Sequence, residues 1–280
     1  MIELKNLTKK FGDFTAVDHL NLQIKTGEFF GLLGPNGAGK TTTISMLSTV
    51  LLPTEGEILI NGVPLTRKAS DQKRKLSVIT QEYSMRQDMT ISEVMEYQGR
   101  LYYMSRKEIK EKSKALLEFA DLYRYKNRVV RHLSGGMKRK LMICRGLMID
   151  PEIMLLDEPT AGMDALSRRQ MWSLLRQIND RDLTIILTTH YMEEAESLCD
   201  RIALIDHGKL DTIDTPHNLI AALGAFAVDE MKDGELKSSF FRNRQDAITY
   251  LSDAPEDASL RTTTLEDVFV ERIGSHLMKK

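Results

Sequence analysis

The feature that most constrains this chain is the run Gly34-Pro35-Asn36-Gly37-Ala38-Gly39-Lys40-Thr41, placed between the apolar segment Phe29-Phe-Gly-Leu-Leu33 and a helical pattern. Glycines at the first, fourth and sixth positions let a backbone turn tightly and approach a ligand closely. The amides at the start of the helix that follows are free to donate, so the loop suits a phosphate group. Lys40 then neutralises the outer phosphates, and the Thr41 hydroxyl is a hard oxygen donor able to ligate Mg²⁺. The strand before and the helix after separate this loop from an ordinary glycine turn.

Further buried-strand patterns, Ile153-Met-Leu-Leu-Asp157 and Thr184-Ile-Ile-Leu-Thr-Thr189, alternate with helical stretches, which predicts parallel βαβ units and an α/β core. Ahead of that core the texture differs. Ile2, Leu4, Leu20, Leu22 and Ile24 alternate with polar neighbours, and Glu57–Ile60 runs into Asn61-Gly62, a hairpin dipeptide, so the N-terminal edge reads as antiparallel. Between the core strands lies a helical stretch. Thr90 with Glu93 and Ser105 with Glu108 are capping boxes, the first ahead of an apolar stripe at Ile91, Val94, Met95, Leu101 and Tyr102, the second ahead of Ile109, Leu116, Leu117 and Ala120. A third helix is predicted between Ser134 and Pro151. After Leu223 the pattern becomes β-β-α-β-α, ending in a helix capped by Thr264 and Asp267.

Two more sites carry chemistry. The strand ending in Asp157-Glu158 places a carboxylate where a parallel strand would present it to Mg²⁺, with Glu158 one residue on, able to orient or deprotonate an attacking water. The run Leu133-Ser134-Gly135-Gly136-Met137 caps the third helix with a serine and leaves its first amides unobstructed. By itself this is either a plain N-cap turn or a second anion-binding helix start; beside the first loop it makes two phosphate cradles in one chain.

Composition excludes several classes. With 42% hydrophobic and 28% charged residues the chain is globular rather than disordered. No apolar run reaches the ~18 residues of a membrane span, no signal-peptide pattern opens the chain, and Cys144 and Cys199 stand far apart as expected buried thiols. These features predict a cytoplasmic protein. The net charge of −1 conceals an asymmetry, 19 basic against 9 acidic side chains in residues 61–140 and 15 against 25 in residues 141–280, compatible with a contact to an anionic partner or with a solvated helical face.

These motifs, in this order, resemble the nucleotide-binding subunit of an ATP-binding cassette (ABC) transporter, over roughly residues 1–220. Gly34–Thr41 is similar to the Walker A loop, Ile153–Glu158 to Walker B, and Leu133–Met137 to the signature sequence. The resemblance implies a P-loop NTPase α/β core with an N-terminal antiparallel β-subdomain and an inserted helical subdomain at about 84–150, together forming an ATPase domain over 1–222. A small α+β unit would follow at 223–280. It implies Glu158, His190 and Lys40 as catalytic residues, and Thr41, Gln81 and Asp157 as Mg²⁺ ligands. Phe11 resembles the aromatic that stacks on adenine. Nucleotide contacts are further implied for Val17, Gly34, Pro35, Asn36, Gly37, Ala38, Gly39, Lys40, Thr41, Thr42 and Gln81, and, across a dimer, for Ser134, Gly135 and Gly136 of the opposite subunit. Ala161-Gly162-Met163-Asp164 resembles the loop that joins the two active sites.

Phe11 stands where Tyr is more common, Thr80 where Pro is frequent and Met163 where Leu is usual, and none of these removes a chemical group. Met137 at the end of the signature and the tail Thr264–Phe269 resemble the branch exporting drugs, lipids and polysaccharides. The expectation is therefore an ATP-hydrolysing motor that dimerises around two Mg·ATP, as a homo- or heterodimer, at the cytoplasmic membrane face. There it would drive separate transmembrane permease subunits, with no nucleic-acid partner. The alternative is a soluble cassette ATPase working on nucleic acid or ribosomes, whose tandem cassettes or long coiled-coil insertion are not seen here.

Overall fold

A computed structural model describes residues 1–180, 182–232, 234–255 and 257–274. Strands β1 (Ile2–Phe11) and β2 (Phe14–Ile24) pair antiparallel around Gly12, and β3 (Phe29–Leu33) leads through the glycine loop into α1 (Lys40–Leu47). Strands β4 (Glu55–Ile60) and β5 (Val63–Pro64) turn at Asn61 and Gly62, both at positive φ as the dipeptide demands, and complete a four-stranded sheet of order β2-β1-β4-β5.

The chain continues through α2 (Ser70–Arg74), β6 (Leu76–Ile79), α3 (Ile91–Leu101), α4 (Arg106–Phe119), two short 3₁₀ turns, α5 (Gly135–Leu147), β7 (Ile153–Asp157), α6 (Ala165–Asn179), β8 (Thr184–Thr189), α7 (Met192–Leu198), β9 (Arg201–Asp206) and β10 (Lys209–Asp214). The central sheet has the order β10-β9-β3-β8-β7-β6, parallel except for the antiparallel edge strand β10. The strand pattern of β9 and β10 escapes notice in the sequence, because their turn is His207-Gly208, a pair at positive φ without the usual Asn or Asp. Both faces of this sheet are covered. Phe29, Leu33, Leu156, Ile185 and Leu187 pack into one apolar cluster with the helices, whereas Phe30, Leu32, Leu155 and Ile186 pack into a second against the antiparallel sheet. Burial on two sides is why these strands read as unbroken apolar runs.

Both capping boxes of the helical stretch form: Thr90 Oγ1 accepts from the Glu93 amide and Ser105 Oγ from the Glu108 amide. One expectation is corrected. Leu101 and Tyr102 lie outside the buried stripe of α3, at 57% and 39% exposure, because the helix ends at Leu101 and Tyr103 turns the chain away at φ 60°.

After α8 (Pro216–Leu223), strands β11 (Phe226–Lys232), β12 (Glu235–Phe241) and β13 (Ser259–Thr262) form a third sheet of order β12-β11-β13, with α9 (Arg244–Ser252) between the last two. Helix α10 (Leu265–Phe269) follows, running into a π-helical turn over Val270–Gly274. Leu265, Val268 and Ile273 are buried in the same cluster as Leu198 and Leu219, so this end of the chain packs into the main core. The last six residues of the expected C-terminal unit, 275–280, lie outside the described residues.

Candidate active site

In an open parallel sheet, ligands gather beyond the carboxyl ends of the strands. Four adjacent ends meet here. The Gly34 loop follows β3, Thr189 ends β8 with His190 after it, Asp157 ends β7 with Glu158 after it, and Thr80 and Gln81 follow β6. Register makes the proximity specific, since Leu33 is level with Thr189 and Asp157 with Thr188.

The glycine loop is held by backbone packing. A Cβ on Gly34 would stand 2.2 Å from the Ile205 carbonyl oxygen, and one on Gly39, at φ 99°, would stand 2.4 Å from that of Ala16. Only glycine fits either place. Val17 is buried beneath Gly39, and Ala38 is buried with its carbonyl accepting from the Gly208 amide. Pro35 is half-buried, Asn36 and Gly37 are exposed, Thr41 is exposed and Thr42 half-buried. Lys40 is 5% exposed, and its ammonium donates to the Gly34 and Pro35 carbonyls at 2.8 and 3.0 Å. Burial lowers the Lys40 pKa, opposed by the charges of Glu158 and Asp157.

Thr41 Oγ1 donates to Asp157 Oδ1 at 3.3 Å, joining α1 to the end of β7. The Thr188 hydroxyl donates to the same carboxylate oxygen, and among the described residues no donor reaches Oδ2. These hard oxygen donors suit a divalent cation that keeps most of its shell as water and phosphate oxygens. Glu158 sits at φ 47°, a left-handed conformation rare for a side chain of its kind, and its amide is pinned by the Thr188 carbonyl and hydroxyl at 3.0 and 3.2 Å. Its carboxylate lies 3.2 Å from His190 Nδ1, with 14% of the Glu158 side chain exposed. Lys40, Thr41, Asp157, Glu158 and His190 thus form one cluster.

Other sequence-selected residues lie apart from it. The Gln81 side chain is exposed and makes no hydrogen bond among the described residues; its carbonyl is held by Arg139. Phe11 ends β1 half exposed, with the Lys9 ammonium 5.2 Å from its ring centre. Ser134 caps α5, its Oγ accepting from the Met137 amide at 3.3 Å. Ser134 and Gly136 line a cavity of about 720 Å³ bordered by residues 118–125 and α6, and no residue of the Gly34–Thr41 loop lines it. Gly135 has the Tyr83 hydroxyl 3.1 Å from where its Cβ would stand.

Sequence reasoning missed Thr188 in the cluster and Phe14 beside Phe11. Thr188 orients both Asp157 and Glu158, and its only signal was a polar pair ending the apolar run of β8. Phe14, paired with Phe11 across the hairpin and 63% exposed, offers a second planar face beside it.

Comparison with known proteins gives the same picture. Residues 17–161 match the family described as ABC transporter. The Nod factor export ATP-binding protein I of Cupriavidus metallidurans is 38% identical over 237 residues, 85% of this chain and 78% of that protein. The linearmycin resistance ATP-binding protein of Bacillus subtilis is 36% identical over 240 residues, 86% and 77% of the two chains. Among solved structures, an ATP-binding cassette captured as a dimer in a post-hydrolysis state with ADP and Pi superposes with a TM-score of 0.69 at 30% identity, covering 77% of this chain and 98% of that one.

Proposed function

The chain belongs to the ABC transporter family, and from that membership we propose that it binds and hydrolyses ATP as the motor subunit of an exporter. The observation that carries this reading is the cluster at adjoining strand ends, where Lys40, the Thr41–Asp157 pair and the Glu158–His190 pair meet beside the glycine loop. Lys40 is already desolvated and held on two carbonyls, so transfer to a phosphate replaces neutral acceptors with charged ones. Glu158, fixed at its backbone, takes the proton of the attacking water, with His190 Nδ1 3.2 Å from its carboxylate.

Thr41 and Asp157, with Gln81, are the residues that would hold Mg²⁺, which supplies charge neutralisation on the phosphates when bound. Phe11 stacks on the adenine, and Val17 with Gly34–Thr42 surrounds the phosphates. Ser134, Gly135 and Gly136 face the nucleotide of a second subunit, which explains a helix start of this kind remote from the chain's own loop. Residues 1–222 form the ATPase unit and 223–280 an appended one.

Among the described residues no helix is long and apolar enough to cross a membrane. As in the exporters after which its relatives are named, the motor would work through separate permease subunits, on the cytoplasmic membrane face. Two named relatives act in export or resistance, which favours this reading over a cassette working on nucleic acid or ribosomes. The test is purification of the full chain from detergent-solubilised membranes with assay of its ATPase activity. A co-purifying multi-span protein that stimulates turnover is the expected result; association with ribosomes or nucleic acid instead would reverse the assignment.

A further inference from the structure

Arg139 is 2% exposed, the largest of the fully buried side chains, yet among the described residues no carboxylate lies within ion-pair distance of it, and the charges of Asp157 and Glu194 only oppose the burial that lowers its pKa. Its two terminal nitrogens donate to successive carbonyls of another segment, that of Thr80 at 2.5 Å and that of Gln81 at 2.8 Å, while among the described residues Nε has no partner. The Tyr83 ring lies 5.4 Å from the guanidinium, and the Tyr83 hydroxyl donates to the Gly135 carbonyl at 3.3 Å. Further along α5, Arg145 donates to the Ser84 carbonyl and hydroxyl at 2.6 and 3.0 Å. Residues 80, 81, 83 and 84 are all fastened to one helix, the helix that Ser134, Gly135 and Gly136 begin.

Burying an unpaired guanidinium is costly, and an apolar residue of similar volume would fill the space with less penalty. What an apolar residue lacks is the fork. Two parallel donors span two consecutive carbonyls, a geometry that the single ammonium of lysine does not reproduce. We propose that Arg139, seconded by Tyr83, is a positioning residue that locks the Gln81 segment to the start of α5, so that both move as one body. The inference rests on the functional reading above. If Gln81 attends the chain's own nucleotide and Ser134 that of the partner, this lock makes occupancy of one site felt at the other.

The test uses the full chain in a Glu158→Gln background, where hydrolysis does not drain the bound state, carrying Arg139→Lys, Arg139→Gln or Tyr83→Phe. Affinity for a fluorescent ATP analogue, thermal midpoint and Mg·ATP-driven dimerisation by sedimentation are measured on each. The expected result is affinity within about twofold of the parent and dimerisation weakened about tenfold in the Arg139 variants and less in Tyr83→Phe, the size of an ordinary coupling between sites. Unchanged dimerisation would overturn the proposal. So would a parallel loss of affinity, thermal midpoint and dimerisation, the mark of a merely structural arginine. Tyr83 is partly exposed, so Tyr83→Phe decides alone if the Arg139 variants do not fold, and an unaltered dimer then overturns the lock. A parent chain that binds no ATP, or binds it without dimerising, overturns the functional reading and the lock together.

Discussion

At the scale of single residues, the site is a set of side chains whose freedom has been removed. Glu158 is held by its own amide on Thr188, and its left-handed φ is the kind of backbone strain that persists only where the surroundings enforce it. Glu158→Gln keeps shape and polarity but loses the proton acceptor, so turnover should fall by about 10²- to 10⁴-fold while ATP affinity is retained. Steady-state ATPase and nucleotide titration on the same preparation check this, and turnover within a few-fold of wild type would remove Glu158 from the mechanism. The two thiols contrast with this cluster. Burial pushes Cys144 up to about 12 and Cys199 well above its ordinary value, so both stay protonated and inert, in keeping with a packing role. The glycine loop, the acid pair and His190 were legible because each sits at a strand end marked by its own sequence. Arg139 was not, since nothing local tells a fully buried arginine from the half-buried Lys138 and Lys140 on either side of it.

At the scale of elements, helix spacing is set by a glycine outside every motif. A Cβ on Gly99 of α3 would stand 2.5 Å from Ile109 Cγ1 of α4, so the two helices approach as closely as they do only because no side chain intervenes. Gly99→Val should destabilise the protein by about 2 kcal/mol through overpacking, read as a lower urea midpoint with nucleotide affinity unaltered. An unchanged midpoint would show that the α3–α4 contact yields freely.

The C-terminal sheet is tied to α10 by Arg261, which donates to Asp229 from β11 and to Asp267 from α10. Arg261 lowers the Asp229 pKa. Asp267, pushed up by burial, still ends below its ordinary value because Arg261 and the Thr264 cap bond its charged form. For carboxyls with depressed native pKa, the stabilisation is complete above the ordinary value near pH ~4 and is lost as pH falls through the lower native values. Arg261→Gln should therefore cost about 2 kcal/mol at pH 7, and the difference from wild type should shrink below pH ~4. Urea unfolding at both pH values checks it; a pH-independent difference would mean that the arginine contributes packing rather than charge.

At the scale of the whole molecule, no residue of the Gly34–Thr41 loop lines the cavity at the Ser134 helix start, and in the proposed function a second chain supplies what one lacks. Mixing Ser134→Arg with Lys40→Ala chains places both lesions in one site of each heterodimer and leaves the other intact, so about a quarter of wild-type turnover should return by random pairing. A mixture as inactive as either parent would mean that Ser134 acts within its own chain or that the sites fire only together. By itself the sequence determined the α/β class, the phosphate loop, the acid pair and the capped helices, because each depends on residues close together in the chain, where turn geometry, capping and apolar periodicity act. Tertiary structure alone decided that β9 lies beside β3, that Thr188 holds both the Asp157 carboxylate and the Glu158 amide, that Arg139 reaches across to Thr80 and Gln81, and that α10 closes onto the main core. These are contacts between residues distant in sequence, fixed by which buried faces and unpaired polar groups meet once the sheet order is set, and no local pattern encodes that meeting.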